Sequence, residues 1–419
     1  MDRIAVIGAG PAGMFASECL LKKGYSVTLY DQMPSAGRKF LAAGSRGGLN
    51  ITNTAENGDF ETRYGENEER FALFLKQFSP ADLRAWLLSL GVDTFTGSGG
   101  KVFPENISTS EILRRWMARL SSFPGFTFAG GHRLKGIENG KTLLFASAGA
   151  DVEVQPEAAV FALGGASWSA TGSDGKWTRL FSQCGIEMER FQSANCGYEA
   201  AWSEVLKEKT GSLFLKNISM TACGKTLRGE IMLTSYGLEG GLVYGLGSLI
   251  REEISKSGKC TVFLDLLPDW SVEKIIDRLG GGKGKETLSN FYRKKLHLTQ
   301  AAFLLLAEIA GKEGAGNLTS IPALLKNLPV NLDRARPLEE AISSAGGVRF
   351  KNLEETLMLK DFPGWFCCGE MLDWESPTGG FLMQGCFSTA YQAALGVCAW
   401  LEKKDALSGN ENLQRDSAH

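Results

Sequence analysis

The feature that most constrains the fold is a glycine-rich turn near the start of the chain, Gly8-Ala9-Gly10-Pro11-Ala12-Gly13. An apolar run of strand type over residues 4–7 precedes it, and a predicted helix over residues 14–23 follows. A second apolar run over residues 25–30 then ends on Asp31. Strand, glycine-rich turn, helix, strand and acid is the order of a βαβ dinucleotide-binding unit. The alternative is a structural turn without a ligand.

Each part of this unit has a physical task toward a dinucleotide. Gly8 permits a tight turn, Gly10 lets the backbone approach a pyrophosphate, and Gly13 lets helix and strand pack closely. The free N–H groups at the helix start attract phosphates. Asp31 can accept hydrogen bonds from ribose hydroxyls, and its charge disfavours a 2′-phosphate. The unit therefore predicts a dinucleotide without specifying which one.

Two further segments fit the same ligand. The loop over residues 32–53 places Arg38 and Lys39 among several glycines, which suits contacts to a bound pyrophosphate. A solvated surface loop is the alternative. A buried strand over residues 158–163 then ends in Gly164 and Gly165, an edge without side chains that a ligand lying across the strand ends requires.

A strand and a glycine-rich loop return near the C-terminus. A buried strand ends in Gly369-Glu370, and the loop after it carries Thr378-Gly379-Gly380 before a predicted helix to Trp400. NAD is usually held within one continuous domain, whereas FAD is longer and in one common arrangement is held again by a distant part of the chain. In that arrangement Glu370 would bind the ribityl hydroxyls. The Gly379–Gly380 backbone would face the flavin N1/C2 carbonyl, where negative charge appears on reduction.

The middle of the chain predicts separate elements. Pro80 separates two helices within residues 68–90, and Thr109-Ser110-Glu111 caps a third helix over 112–120 whose arginines form a solvated face. Short alternating runs predict a β-meander over 126–154. Residues 190–340 begin with strand-like pieces and continue with helices over 272–279, 288–296, 301–309 and 321–328. The run Gly280–Lys285 lacks a preceding strand and the ending of a phosphate loop, so it predicts a flexible connection between helices.

Bulk properties narrow the class of protein. A chain of 419 residues predicts two or three domains, and the net charge of −2 gives no reason to expect nucleic acid or an anionic membrane as partner. The nine cysteines have no metal-ligand spacing, so no metal site is expected. Their odd number and scattered positions predict a reducing, cytoplasmic compartment. Cys367-Cys368 predicts two buried thiols, with a strained disulfide as the alternative. No signal peptide is expected before the first strand, and the apolar runs over 301–310 and 386–401 are too short or interrupted to span a bilayer.

Several longer stretches carry a family resemblance. The chain resembles the flavoproteins of the NAD(P)/FAD-dependent oxidoreductase family that includes the BaiN, RdsA and aminoacetone-oxidase-like (YhiN-type) proteins. The matching stretches are VIGAGPAG (6–13), GRKFLAAGSRGGLNIT (37–52), KVFPENISTSEILRRW (101–116), ALGGASW (162–168), TGSDG (171–175), GLEGGLVYGL (237–246), RPLEEAISSAGGV (336–348) and GEMLDWESPTGGFLMQGCF (369–387). They cover the chain from residue 4 to about residue 400.

The resemblance implies an α/β fold, a Rossmann-like FAD-binding domain of the glutathione-reductase type that is split in sequence. Residues 1–189 and 339–405 would form it, 190–338 would form an inserted domain (a β part, then a small helix bundle), and 406–419 a polar tail. The implied FAD-binding residues are Gly8, Gly10, Pro11, Ala12, Gly13, Asp31, Arg38, Lys39, Phe40, Asn50, Gly164, Gly369, Glu370, Thr378, Gly379 and Gly380. Asp31 stands where related flavoproteins usually have glutamate. The segment AAGSRGGLN lacks the cysteine of the alternative GRCN form, so no role of that cysteine transfers.

The expected function is FAD-dependent oxidoreduction, with hydride transfer at flavin N5 and a small organic molecule as substrate. No second dinucleotide motif occurs in residues 190–340, so NAD(P)H would dock transiently as electron donor. The alternatives are an FAD oxidase or dehydrogenase of a small amine or alcohol, and a flavoprotein that acts on RNA. The sequence assigns no catalytic residue and no oligomeric state. Arg46, Tyr236, Trp374 and Glu375 are candidates for groups over the flavin ring, and for each an ion pair, a core aromatic or a solvated acid is the structural alternative.

Overall fold

The structure is a computed structural model that describes residues 4–45, 48–55 and 60–416, with the side chains of all of these except 312 and 408–416. It divides into two compact units, the first made of Met1–Gln192 with Ser343–His419 and the second of Ser193–Ile342.

The strands are β1 Ile4–Ile7, β2 Val27–Asp31, β3 Thr52–Asn53, β4 Thr94–Thr96, β5 Lys101–Pro104, β6 Phe126–Gly130, β7 His132–Glu138, β8 Thr142–Ser147, β9 Ala150–Val154, β10 Ala158–Phe161, β11 Met188–Ala194, β12 Tyr198–Glu199, β13 Leu213–Ala222, β14 Lys225–Leu233, β15 Gly237–Glu239, β16 Cys260–Asp265, β17 Leu328–Leu332, β18 Arg334–Ala335, β19 Ser343–Val348 and β20 Trp365–Cys367. The α-helices are α1 Pro11–Lys22, α2 Arg38–Gly44, α3 Glu68–Gln77, α4 Pro80–Ser89, α5 Thr109–Ser121, α6 Thr178–Gln183, α7 Glu204–Lys209, α8 Gly241–Gly245, α9 Gly247–Ser257, α10 Val272–Leu279, α11 Leu288–Leu296, α12 Gln300–Gly314, α13 Ile321–Lys326 and α14 Phe381–Asp416.

The first unit is built on a five-stranded parallel sheet in the order β20-β10-β1-β2-β6. Strand β1 is central, with Ile4 paired to Val27 of β2 on one side and to Ala158 of β10 on the other. All four of its residues are buried, as expected where helices cover both faces of a parallel sheet. Helix α14 packs on α1, with the rings of Phe15 and Phe387 centred 4.7 Å apart. The predicted Rossmann-like α/β fold is confirmed.

The strand order determines where a ligand can bind. The chain proceeds from β1 outward to β2 on one side, and β10 lies on the other side of β1. The order therefore reverses beside β1, and in open α/β sheets a ligand binds at such a point, outside the carboxyl ends of the strands. The glycine-rich turn directly follows the carboxyl end of β1.

The prediction of a meander over residues 126–154 is partly wrong. Residues 126–130 form β6, the edge strand of the parallel sheet, with Phe126 paired to Val27. Only β7, β8 and β9 form an antiparallel meander. An alternating apolar pattern marks a strand but does not specify its partner, because parallel edge strands and antiparallel strands can share that pattern.

The second unit has its own core and a seven-stranded sheet in the order β17-β16-β13-β14-β15-β12-β18. The helix predicted over residues 321–328 ends at Lys326, and the chain then enters β17, which pairs antiparallel with β16. Leu328 and Leu332 fit a helical spacing with Leu325 as well as the alternation of a strand with Val330, so periodicity alone missed this strand. Residues 280–285 connect α10 to α11, as predicted.

Three helix predictions need correction. Helix α5 begins at Thr109 and is capped by Ser108, whose hydroxyl accepts from the Glu111 N–H at 3.2 Å. Arg119 does not belong to a solvated face, because it donates to the fully buried Glu18 at 3.2 Å. Helix α14 continues beyond Trp400 to Asp416, since the segment LEKKDAL after Trp400 consists mostly of strong helix formers. Over the described residues, we find no helix with the length and apolar character that crossing a bilayer requires.

Candidate cofactor site

A cavity of about 960 Å³ lies at the carboxyl ends of β1, β2, β10 and β20 in the first unit. Its volume is at the upper end of the roughly 300–1,000 Å³ usual for ligand pockets. Ten of the predicted cofactor-binding residues line it, namely Gly8, Gly10, Pro11, Ala12, Asp31, Arg38, Lys39, Gly164, Gly369 and Glu370. The cavity thus brings together residues from both ends of the chain.

The three glycines of the turn meet different surroundings. Gly8 has φ +109°, and a Cβ there would lie 2.2 Å from the Ala162 carbonyl oxygen. A Cβ on Gly13 would lie 1.8 Å from the Gly8 carbonyl oxygen. A Cβ on Gly10 would have no atom of the described chain within 4 Å. Packing therefore requires Gly8 and Gly13, whereas Gly10 leaves open space in the cavity.

The start of α1 is suited to an anion. Pro11 occupies the first helical turn, and that turn carries no acidic residue. The N–H groups of a first turn have no partner within their own helix, and the helix dipole adds partial positive charge there. Gly10, Pro11 and Ala12 all line the cavity. Proline has no N–H, so the backbone donors of this stretch are those of Gly10 and Ala12.

Asp31 lines the cavity and also holds the glycine-rich turn in place. Its carboxylate accepts hydrogen bonds from the Ala9 N–H at 2.6 Å and the Met33 N–H at 2.7 Å. Burial raises the pKa of this carboxyl above its ordinary value, and the two N–H groups oppose that shift. A carboxylate offers about four acceptor positions, so the oxygens of Asp31 can accept further bonds from a ligand.

Glu370 and Lys39 form an ion pair at the cavity wall. The Lys39 Nζ lies 2.8 Å from Glu370 Oε2 and donates to Ser167 Oγ at 2.9 Å. The other carboxylate oxygen of Glu370 accepts from the Ser344 N–H at 3.2 Å. These contacts fix the carboxylate that the sequence predicts as partner of ribityl hydroxyls.

The cavity wall carries more positive than negative side chains. Asp31, Asp174 and Glu370 are its acidic residues, and its basic ones are Arg38, Lys39, Arg133, Lys135, Lys176 and Arg179. The Nε of Arg38 is buried and has no hydrogen-bond partner in the described chain. A buried, unpartnered donor is unfavourable unless a ligand satisfies it. The wall therefore suits an anionic ligand.

The remaining six predicted residues do not line the cavity. Phe40 is buried, with its ring centred 6.4 Å from that of Trp116. The Gly379 carbonyl accepts from Asn53 Nδ2 at 3.0 Å. A Cβ on Gly380 would lie 2.2 Å from the Thr52 carbonyl oxygen. The others in this group are Gly13, Asn50 and Thr378.

The candidates for groups over the flavin ring lie in different places. Trp374 is a core aromatic, packed on Tyr64 and Phe71, and its Nε1 donates to the Gly369 carbonyl at 2.9 Å. Tyr236 belongs to the second unit and donates to the Glu239 carboxylate, and burial raises its pKa. Glu375 is half-buried. Arg46 lies outside the described residues.

Sequence reasoning missed several residues that line the cavity or hydrogen-bond to residues lining it. The Ser167 hydroxyl accepts from Lys39 Nζ, and the Ser344 N–H donates to the Glu370 carboxylate. The Thr389 hydroxyl accepts from the Gly369 N–H at 3.0 Å. Cys386 lines the cavity, and burial together with the nearby Glu370 raises the pKa of its thiol to about 12. Ser167 and Ser344 fall in the family stretches ALGGASW and SSAGGV, which were the available signals.

These residues fit FAD. The gap beside Gly10 and the helix start admit a pyrophosphate, while Arg38 and the other basic residues balance its charge. Asp31 and Glu370 supply acceptors from β2 and from the turn after β20, as a ligand with hydroxyl groups on both sides of its pyrophosphate requires.

Comparison with known proteins supplies independent findings. Residues 2–396 match the profile of the HI0933-like protein Rossmann domain. A 3-dehydro-bile acid delta(4,6)-reductase of Clostridium scindens is 24% identical over 412 residues, which cover 94% of this chain and 98% of that protein. A ribosomal RNA dihydrouridine synthase of Haemophilus influenzae is 22% identical over 406 residues, 94% of this chain and 97% of that protein.

Solved structures share the fold. A 3-ketosteroid-delta4-(5alpha)-dehydrogenase from Rhodococcus jostii superposes with a TM-score of 0.50 at 13% identity, over 95% of this chain and 96% of that one. A 3-ketosteroid delta1-dehydrogenase from Sterolibacterium denitrificans gives a TM-score of 0.50 at 11% identity, over 95% and 99% of the two chains. At such low identity these similarities concern the fold alone.

Proposed function

The chain belongs to the HI0933-like family of Rossmann-domain proteins and is an FAD-dependent oxidoreductase, and we propose that it uses NAD(P)H to reduce a carbon–carbon double bond conjugated to a carbonyl group. The observation that carries the proposal is the single cavity lined both by the turn around Gly10 and by Gly369-Glu370. Residues so distant in sequence line the same cavity and would together hold one ligand, which favours FAD over a cofactor held by one continuous segment.

The names of two relatives support the reaction class. A delta(4,6)-reductase of a 3-dehydro-bile acid and a dihydrouridine synthase both add two hydrogens across a double bond conjugated to a carbonyl. In such a reaction a hydride is added to the carbon distant from the carbonyl, and a proton to the adjacent carbon. When bound, FAD would supply the two-electron hydride chemistry that links NAD(P)H to the substrate.

The residues of this chain bind and orient the cofactor. The first turn of α1 and Arg38 are proposed to hold the pyrophosphate, and Asp31 the adenosine ribose. Glu370, fixed by Lys39 and the Ser344 N–H, is proposed to accept from ribityl hydroxyls. Because the Glu370 carboxylate and the start of α1 are already fixed, these groups need to move little when the cofactor binds.

NAD(P)H is proposed to dock transiently. A stable nicotinamide domain needs a parallel βαβ unit with its own glycine-rich turn. The second unit, whose backbone is described throughout, instead pairs its seven strands antiparallel. Its architecture therefore supports a donor that binds only during reduction.

An anaerobic stopped-flow experiment tests the proposal. The holoprotein is mixed with NADH or NADPH, and flavin absorbance is followed; we expect bleaching, and recovery when a steroid 4-en-3-one is added without oxygen. No bleaching by either nucleotide, together with turnover of small amines or alcohols in air, would instead favour an oxidase and contradict the proposed donor.

An RNA substrate is the second candidate, because one relative is named for dihydrouridine in ribosomal RNA. The net charge of −2 gives little general attraction for RNA. Uridine-containing ribosomal RNA fragments form the second arm of the experiment. Recovery of flavin absorbance with RNA, and none with the enone, would identify RNA as the substrate class.

A further inference from the structure

A buried asparagine outside the residues assigned above, Asn53, joins the start of α14 to other segments of the first unit. Its side chain is only 4% exposed. Nδ2 donates to the carbonyl oxygens of Gly379 at 3.0 Å and Gly99 at 3.2 Å, and Oδ1 accepts from the Ala55 N–H at 2.8 Å. An amide turned by 180° would direct its oxygen at two carbonyl oxygens, so these partners fix the orientation of the side chain.

The neighbouring Thr52 holds the same part of α14. A Cβ on Gly380, which has φ +99°, would lie 2.2 Å from the Thr52 carbonyl oxygen, so the two backbones are in direct contact. The Thr52 hydroxyl donates to Gln384 Oε1 at 2.7 Å, and the Gln384 N–H donates to the Gly380 carbonyl at 3.0 Å. Strand β3 therefore fixes both the peptide before α14 and the first turn of that helix.

The bond to Gly379 determines where the next N–H group points. In a planar trans peptide the C=O and the N–H project in opposite directions. Because Asn53 draws the Gly379 carbonyl toward itself, the Gly380 N–H of the same peptide is directed away from Asn53. A side chain on β3 thus sets the direction of a backbone donor at the N-terminus of α14.

Gly380 does not line the cavity, but the helix that follows it does. Cys386 of α14 lines the cavity together with Gly369 and Glu370. At a rise of about 1.5 Å per residue, Phe381, which directly follows Gly380, is about 7.5 Å from Cys386 along the helix axis. A ligand that reaches Glu370 with its ribityl chain would extend its ring in the region of this helix start.

We propose that Asn53 is a positioning residue that aims the Gly380 N–H at the part of the flavin ring that becomes negative on reduction. This inference rests on the proposed function. A fixed donor aimed at developing charge stabilises the reduced cofactor more than the oxidised one. Loss of Asn53 should therefore lower the midpoint potential of bound FAD while leaving the affinity for oxidised FAD nearly unchanged.

The test compares the midpoint potential of the wild-type holoprotein with those of Asn53→Leu and Asn53→Ala. Asn53→Leu removes the donor, and Asn53→Ala removes it with a smaller neutral side chain, should the leucine variant fail to fold. We expect reduced FAD to bind about tenfold more weakly relative to oxidised FAD, equivalent to a potential about 30 mV lower. Ser17→Ala is the matched control, because Ser17 is also buried and donates to a carbonyl, that of Gly13 at 2.8 Å.

The possible outcomes separate this inference from the function on which it rests. A lowered potential in both Asn53 variants, with that of Ser17→Ala near wild type, supports the role. Asn53 variants that bind FAD and keep the wild-type potential would overturn it while leaving the proposed function intact. An equal shift in Ser17→Ala would also overturn it, since any lost buried hydrogen bond would then have the same effect. Wild-type protein that binds no FAD would contradict the proposed function first, and this inference with it.

Discussion

Gly10 and Gly13 lie in one turn, and the structure predicts opposite consequences when each is changed to alanine. Gly10→Ala adds a methyl group that meets no described atom within 4 Å, so stability should stay near wild type while the pyrophosphate loses its space. Gly13→Ala puts a Cβ 1.8 Å from the Gly8 carbonyl, so the free energy of unfolding should fall by about 3 kcal/mol. Thermal unfolding and FAD titration of both variants check this pair. A stable Gly13→Ala protein would contradict the packing described here, and tight FAD binding by Gly10→Ala would contradict the assigned phosphate site.

Asp373 gives a pH dependence of stability. Burial and the nearby Glu189 raise the pKa of this carboxyl from 3.8 to about 6, with smaller contributions from Glu375 and Glu66 and opposition from Arg349. Between these two pH values the folded chain keeps a proton that the unfolded chain has lost. The contribution of Asp373 to the free energy of unfolding therefore decreases as the pH rises from 3.8 to about 6.

Asp373→Asn should remove this dependence. The variant should be more stable than wild type above pH 6, with the difference vanishing near pH 3.8. Urea unfolding at a series of pH values measures the effect. Asp361→Asn, at an exposed position of the same unit, is the control. A difference between Asp373→Asn and wild type that is constant with pH would contradict the raised pKa.

Single residues differ in how far their roles could be predicted from the sequence. The requirement for glycine at positions 8 and 13 followed from the motif, because the turn has one geometry wherever it occurs. The contacts of Asp31 with the Ala9 and Met33 N–H groups did not follow from the motif, because they depend on how far an aspartate side chain, shorter than the usual glutamate, can reach. Trp374 could equally have faced a ligand or the core, and only packing on Tyr64 and Phe71 distinguishes these.

At the scale of elements, α2 and the turn after β20 are coupled through Lys39 and Glu370. Lys39→Met should weaken FAD binding by about 2 kcal/mol, because it leaves the Glu370 charge without its partner beside a cofactor that is itself anionic. Adding Glu370→Gln should then cost less than it does in wild type. The two effects in a double-mutant cycle should therefore differ from additivity by about 1 kcal/mol or more.

Equilibrium titration of the four proteins with FAD measures this coupling. Ser45→Ala serves as control, because Ser45 follows the same helix and its hydroxyl donates to the local Ala42 carbonyl. Additive effects of Lys39→Met and Glu370→Gln would show that the ion pair does not act as a unit in cofactor binding.

Elements with a local signal could be predicted, and those specified by distant partners could not. Pro80 separated α3 from α4 as expected, since proline is favoured in a first helical turn and Ser79 caps it. Strand β6 was placed in the wrong sheet and β17 was missed, because their partners β2 and β16 are remote in sequence. The network of Thr52, Asn53 and Gln384 was missed for the same reason.

For the whole molecule, the decisive feature is a cavity to which both ends of the chain contribute. The first unit brings residues 8–39 and 369–386 to the same wall, with residues 193–342 forming the second unit between them in sequence. The sequence favoured this arrangement through its second glycine-rich loop. The sequence did not predict the ion pair of Lys39 and Glu370, the unpartnered Arg38 Nε or the excess of basic side chains on the cavity wall. These features arise only when the chain folds.

The most direct test of this account is the flavin content of the purified protein, measured by absorbance after release of the cofactor and by titration of the apoprotein. We expect one FAD per chain, and little binding of FMN, because FMN lacks the adenosine half that Asp31 and the start of α1 would hold. Gly10→Ala should reduce the occupancy of a chain that remains folded. A folded wild-type protein that binds neither flavin, or binds FMN as well as FAD, would contradict the account.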